Sequence, residues 1–390
     1  MIHCCIYLPE KEAPMNDTST AGYRLLSLTA LAGECNPDVL ARLGISPSYG
    51  EKLVTKLKGE NFIKTHYKDR LRGYRLTCGG KRMLLAGNPE RFSFYLTGST
   101  DTNRPRSDYP RRLRLQQASL VYAMLLNAGV TFFRDEKPLL FQEGYHEQSG
   151  GPVRMPLPLF YHSREVKELG TETIKIGNSR IMGILLAPDC IYALFYTGTA
   201  PIKWEYRTEL RVKTFLSYHA SRGILSKGAA SPCYFPDTPV KALFIGSGMD
   251  TALKLMESNG GVQKSYFYLD SSFDYFLYIP DDAAGDTMLK LLCSPALLKG
   301  LRNLLLSDLQ PPCPDYGLEH DAVSDGMPVL LAFDFDMLRI SRFRTALSFH
   351  GLTGNLVCFD FQKPVLQQYF GEAATIETID LKKFEGRFLH

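Results

Sequence analysis

Three short helical patterns, a basic hairpin pattern and a fourth helical pattern succeed one another between Tyr23 and Ala86. Few folds accommodate helices that short with one β-ribbon attached. Residues 23–32 (YRLLSLTALA) form an apolar helical stretch. Asn36-Pro37 offers a cap with proline at the first helical position for a second helix, residues 37–43, which Gly44 can close. Ser46-Pro47 then caps a third helix running to Glu60, where Leu53, Val54 and Leu57 make an inward stripe. The other faces of that helix carry Ser48, Tyr49, Lys52, Thr55 and Lys56, side chains of the kinds that reach phosphates and base edges in a major groove. Residues 62–67 and 74–77 are expected strands, joined by a basic tip that presents Lys68, Arg70 and Arg72, and GGKRMLLA opens the next helix.

The charge is concentrated in the same stretch. From Arg42 to Arg114 seventeen Lys and Arg stand against six Asp and Glu, in a chain whose formal net charge is only +4, so the remainder is net acidic. Clustered cations gain from releasing the counterions of a phosphate backbone. The helix order, the hairpin and the phrase Tyr74, Leu76, Thr77, Gly80 resemble the winged-helix family, in which such a YxLTxxG phrase follows the wing. The resemblance implies a winged helix-turn-helix over residues 18–98 that binds duplex DNA. Residues 99–112, ending in the basic, two-proline phrase RPRSDYPRR, read as a linker.

Beyond the linker the patterns run helix (113–128), two buried strands within 181–198 turning near Pro188-Asp189, a short strand in PIKWEYR, a helix (208–221), a strand (241–247), a helix (249–258) and a strand in SYFYL. That is an α/β order, expected over residues 113–280, with further α/β elements over 281–390. It resembles the restriction-endonuclease-like fold, whose chemistry rests on a turn carboxylate and a strand carboxylate holding Mg²⁺ and a lysine beside the attacking water. Asp189 and Glu205 would fill the catalytic and metal-binding carboxylate positions, but Arg207 stands where the lysine belongs, and an arginine stays protonated. Lys203 shares the face of Glu205 on an alternating strand. With the basic hairpin domain ahead of it, the stretch from Tyr23 to Ser221 resembles the replication-relaxation family of plasmids and conjugative elements. That resemblance implies a DNA-binding accessory role in replication or transfer, with replication or transfer proteins as partners and no cofactor, Mg²⁺ excepted if cleavage is retained. Two alternatives stand beside it: a metal-dependent nuclease, and a ligand-responsive transcription regulator.

The regulator alternative draws on the Gly246–Ala252 phrase GSGMDTA, whose glycines lie between a strand and a helix N-terminus where amides can hold phosphate, although it lacks the full dinucleotide or P-loop spacing. Asp334, Asp336 and Asp360 fall at expected strand ends, where they can serve a ligand or cap helices. Nine cysteines are scattered without a CxxC pair, which argues against zinc and for reduced thiols in a cytoplasmic protein. The first fourteen residues are too short and polar for an export signal, Met15 offers a second start, and no apolar run reaches the length of a membrane helix.

Overall fold

A computed structural model describes residues 20–142, 157–168, 176–226 and 234–389; the expectations for the first fourteen residues and Met15 lie outside them. The fold is mixed α/β with three sheets, and the chain divides into two units between Ala123 and Met124. Among the described residues no helix is long and apolar enough to cross a membrane.

The first unit opens with α1 (Ala21–Ala32), whose N-terminus Thr20 caps by accepting from the Tyr23 amide. α2 (Val39–Arg42) and α3 (Pro47–Gly59) follow. β1 (Ile63–Lys68) and β2 (Leu71–Leu76) form an antiparallel hairpin, and Cys35 and Tyr74 exchange backbone hydrogen bonds of 2.8 and 2.9 Å to add one more rung. α4 (Cys78–Gly87) and α5 (Pro89–Leu96) close a core that includes Leu25, Leu28, Leu57, Tyr74 and Phe92. Both strands reach farther toward the tip than the expected ones. Lys68, Arg72 and Gly73 belong to the ladder, and the tip shrinks to Asp69-Arg70, with φ of 54° and 61°. Two consecutive left-handed residues match the right-handed twist of a two-stranded ribbon.

Residues 99–112 do not behave as a linker. Thr102 is buried and donates to the carbonyl of Tyr95 at 2.6 Å, Arg75 donates to the carbonyls of Pro105 and Arg106, and Arg112 is wholly inaccessible. The basic, proline-containing composition reads as a hinge, but its backbone oxygens and one of its arginines are used inside the first unit. α6 (Tyr109–Asn127) starts within that stretch, and the expected boundaries at 98 and 112 give way to one at 123.

In the second unit the first sheet has the order β3 (Leu159–His162), β4 (Gly183–Leu186), β5 (Ile191–Gly198), β6 (Val240–Gly246), β7 (Phe276–Pro280). β3, β4 and β5 make an antiparallel meander, while β5, β6 and β7 are parallel and are connected through helices Tyr206–Ser221 and Met249–Met256, as parallel strands require. The strands expected in PIKWEYR and SYFYL reduce to isolated bridges, Lys203 with Tyr266 and Asn259 with Tyr268. The sheet takes FLYIP instead, a run buried throughout, as a parallel strand covered on both faces must be.

A second sheet has the order β11 (Ala374–Ile379), β10 (Gly354–Phe359), β9 (Met327–Leu331), β8 (Ala322–Ser324), parallel except for β8. The two sheets share one hydrophobic core and touch where Leu277 bridges Asp336. Residues 281–390 are therefore part of the second unit, not a region apart from it.

Candidate nucleic-acid interface

α3 is two-faced. Gly50, Leu53, Val54 and Leu57 are buried, whereas Ser48, Tyr49, Lys52, Thr55 and Lys56 are all exposed. The helix runs directly into the hairpin, the Phe62 amide donating to the Leu57 carbonyl at 2.9 Å, and on the hairpin Lys68, Arg70 and Arg72 are exposed as well. Both expected groups of binding residues thus lie on consecutive elements of the first unit. Lys56 pairs with Glu60 at 3.9 Å across one turn with its side chain 61% exposed, an arrangement that solvent screens and that leaves the ammonium available.

Behind the hairpin lies a charged cluster that sequence reasoning did not find. Glu34, fully buried, accepts from Arg75 Nε at 2.8 Å, Arg112 Nη2 at 2.7 Å and Gln116 Nε2 at 2.7 Å. The same Arg112 donates to the carbonyls of His66, Lys68 and Leu71 at 3.1, 2.7 and 2.9 Å, and Gln116 to that of Arg72 at 3.0 Å. Four backbone oxygens around the tip are thereby taken up by two side chains of α6. Burial alone would raise the Glu34 carboxyl, but the hydrogen bonds from Arg112, Gln116 and Arg75 outweigh it and hold the group below its ordinary value. The only sequence hint was a lone acid after α1, since Gly73 reads there as part of the hairpin tip.

The sign of that shift sets a pH dependence. A carboxyl depressed in the folded state contributes stability above its unfolded value, near 4.5, and loses it as pH falls through the lower folded value. Hairpin amide protection in the full chain is expected to hold above that unfolded value and to fall as the pH is taken below it. The decline should be shallower in Glu34→Gln; equal slopes for the two proteins would remove Glu34 from the account.

The nuclease positions do not assemble. Asp189 lies exposed in the turn entering β5, and Glu205 lies in the connection leaving it, at the start of helix Tyr206–Ser221. β5 has eight residues, roughly 26 Å of strand at about 3.3 Å per residue, whereas a shared Mg²⁺ needs oxygens at about 2.1 Å. Glu205 is not on a strand at all; its carboxylate accepts from Thr208 Oγ1 at 2.7 Å, and Arg207 is exposed in the first helical turn. β4 and β5, the strands flanking Asp189, read GILL and IYALFYTG and carry no acid. Among the described residues no group of three His, Cys, Asp or Glu is placed to hold a metal ion.

The glycine turn and two of the three aspartates, Asp336 and Asp360, also have structural roles. Gly248, with φ of 74°, precedes helix Met249–Met256, but Ser247 donates to the Asp281 carboxylate at 3.1 Å and Tyr196 to the same oxygen at 2.7 Å. A phosphate at the Gly246–Gly248 turn would meet that negative charge. Asp336 caps helix Met337–His350 through the Leu338 amide and accepts from the Phe276 amide at 3.1 Å, joining β7 to the second sheet, and Asp360 accepts from the Phe361 amide. Compared with models of protein families, with curated proteins and with solved structures, the chain matches none.

Proposed function

We propose that this chain is a DNA-binding accessory protein of a mobile genetic element, acting in plasmid replication or conjugative transfer, and that its first unit is a winged helix-turn-helix that grips duplex DNA. The observation that carries the reading is the continuity of exposed cations and hydrogen-bonding groups from α3 to the hairpin, with the apolar residues of the same elements turned inward. α3 takes the role of recognition helix, Lys52 and Lys56 meeting phosphate and Ser48, Tyr49 and Thr55 facing the groove. Lys68, Arg70 and Arg72 let the wing grip phosphate at a second place. The antiparallel meander β3-β4-β5, carried on through a helix to parallel β6, supports a restriction-endonuclease-like scaffold for the second unit. The separation of Asp189 from Glu205 favours a role for that scaffold in assembly over one in cleavage. The mobile-element assignment rests on the resemblance of residues 23–221 to the replication-relaxation family.

The test is binding of labelled duplex across a salt series. Lys52→Ala/Lys56→Ala is expected to weaken binding and to lower the slope of log K against log salt by about 1.8, at about 0.9 for each phosphate that the variant no longer neutralises. Unchanged affinity in that variant would remove α3 from the interface.

A further inference from the structure

We infer that Arg112 and Gln116 are positioning residues for DNA binding: from inside the first unit they set the pose of the hairpin so that Lys68, Arg70 and Arg72 meet the phosphate backbone together. The inference rests on the reading that this hairpin contacts DNA. Arg112 has no accessible surface, so it cannot touch a ligand itself. What it touches is the backbone on both sides of the Asp69-Arg70 turn, at His66, Lys68 and Leu71, while Gln116 holds Arg72.

A two-stranded ribbon is marginal in water by itself, and the ladder gives the carbonyls around its tip at most one hydrogen bond each. Here four of them are bound to a buried cluster centred on Glu34, which Arg75 secures from within β2. The close approach is written into residue 73. A Cβ there would lie 2.3 Å from Glu34 Oε1 and 2.5 Å from Gln116 Nε2, so any larger residue would push these two side chains out of their present positions. Three cations on a ribbon held in one pose lose less freedom on binding than three on a fraying one, and preorganisation of that kind raises affinity with no new interaction.

The experiment is a mutant cycle in the full-length chain. Gln116→Leu and Gly73→Ala each disturb the cluster while leaving every surface cation in place; Lys68→Ala/Arg70→Ala/Arg72→Ala removes the cations and leaves the cluster. Each is measured for labelled-duplex affinity across a salt series and, without DNA, for amide exchange at the hairpin. Positioning predicts that Gln116→Leu and Gly73→Ala speed exchange at the tip and lower the salt slope toward that of the triple variant. The largest drop would be about 2.7, at about 0.9 for each of three cations. It also predicts that either substitution adds nothing on the triple background. An equal loss on both backgrounds, or faster exchange with unchanged affinity, overturns the inference while leaving DNA binding intact. A wild-type chain with no salt-dependent binding overturns the DNA reading and this inference with it. Should Gly73→Ala fail to fold, Gln116→Leu alone decides between these outcomes.

Discussion

Arg112→Ala is expected to destabilise the first unit by about 3 to 5 kcal/mol, the range for removing one partner of a buried ion pair. The wild-type guanidinium donates to both Glu34 oxygens and to three carbonyls. Alanine leaves the carboxylate with Arg75 and Gln116 only, and leaves the carbonyls of His66, Lys68 and Leu71 without their arginine donor in a space water does not readily enter. The adjacent Arg111 is the natural comparison, since its pair with Asp108 is at 3.8 Å with both side chains partly exposed; Arg111→Ala should change stability by no more than about 0.5 kcal/mol. Exchange-derived opening energies of the hairpin and α1 amides would separate the two. A loss below about 1 kcal/mol for Arg112→Ala, well under the buried-pair range, would mean that the cluster rearranges at little cost.

In the second unit the corresponding prediction is Phe244→Ala, with an expected loss of about 3 to 5 kcal/mol. Phe244 lies on β6 with no exposed surface, its ring centroid 5.1 Å from Phe195, 5.7 Å from Trp204 and 4.7 Å from Phe267. These rings come from β5, from β6 and from the segments on either side of helices Tyr206–Ser221 and Met249–Met256, so the vacated space cannot be filled by a shift of one element. Trp204 is the only tryptophan of the chain, which makes its emission during urea unfolding a report on this core specifically. An unchanged midpoint would show that the aromatic layer repacks around the missing ring.

What was legible in the sequence was local. Ser46-Pro47, the spacing of Leu53, Val54 and Leu57, and Gly44 are signals contained within a turn or two, and α1, α2 and α3 appear where those signals place them. The exposed residues of α3 follow from the same periodicity. The hairpin was legible in existence but not in extent, because a turn of Asp69-Arg70 lacks the glycine that marks a two-residue tip, so the surrounding charges read as a long loop. Arg112 was illegible for a different reason: its carboxylate partner stands 78 positions earlier, and only the closed fold makes a basic residue in a proline-containing stretch an interior one. The nuclease pattern failed at Glu205, because the strand expected in PIKWEYR reduces to the single bridge of Lys203 with Tyr266 and leaves Glu205 at the start of a helix. FLYIP was missed because SYFYL, a few residues earlier, has the same apolar density, and only parallel pairing with β6 separates them.

At its left-handed tip the hairpin carries two side chains that its backbone accepts unequally. Asparagine, aspartate and glycine are the residues that enter such turns readily; Asp69 conforms, but Arg70 at φ of 61° does not, and an ordinary side chain there costs about 1 to 2 kcal/mol. The chain retains a cation at the one place on the hairpin where its own backbone would prefer none. Folding and the proposed DNA binding therefore pull in opposite directions at residue 70, and substitutions selected there for thermal robustness would be drawn toward loss of a charge assigned to the proposed interface.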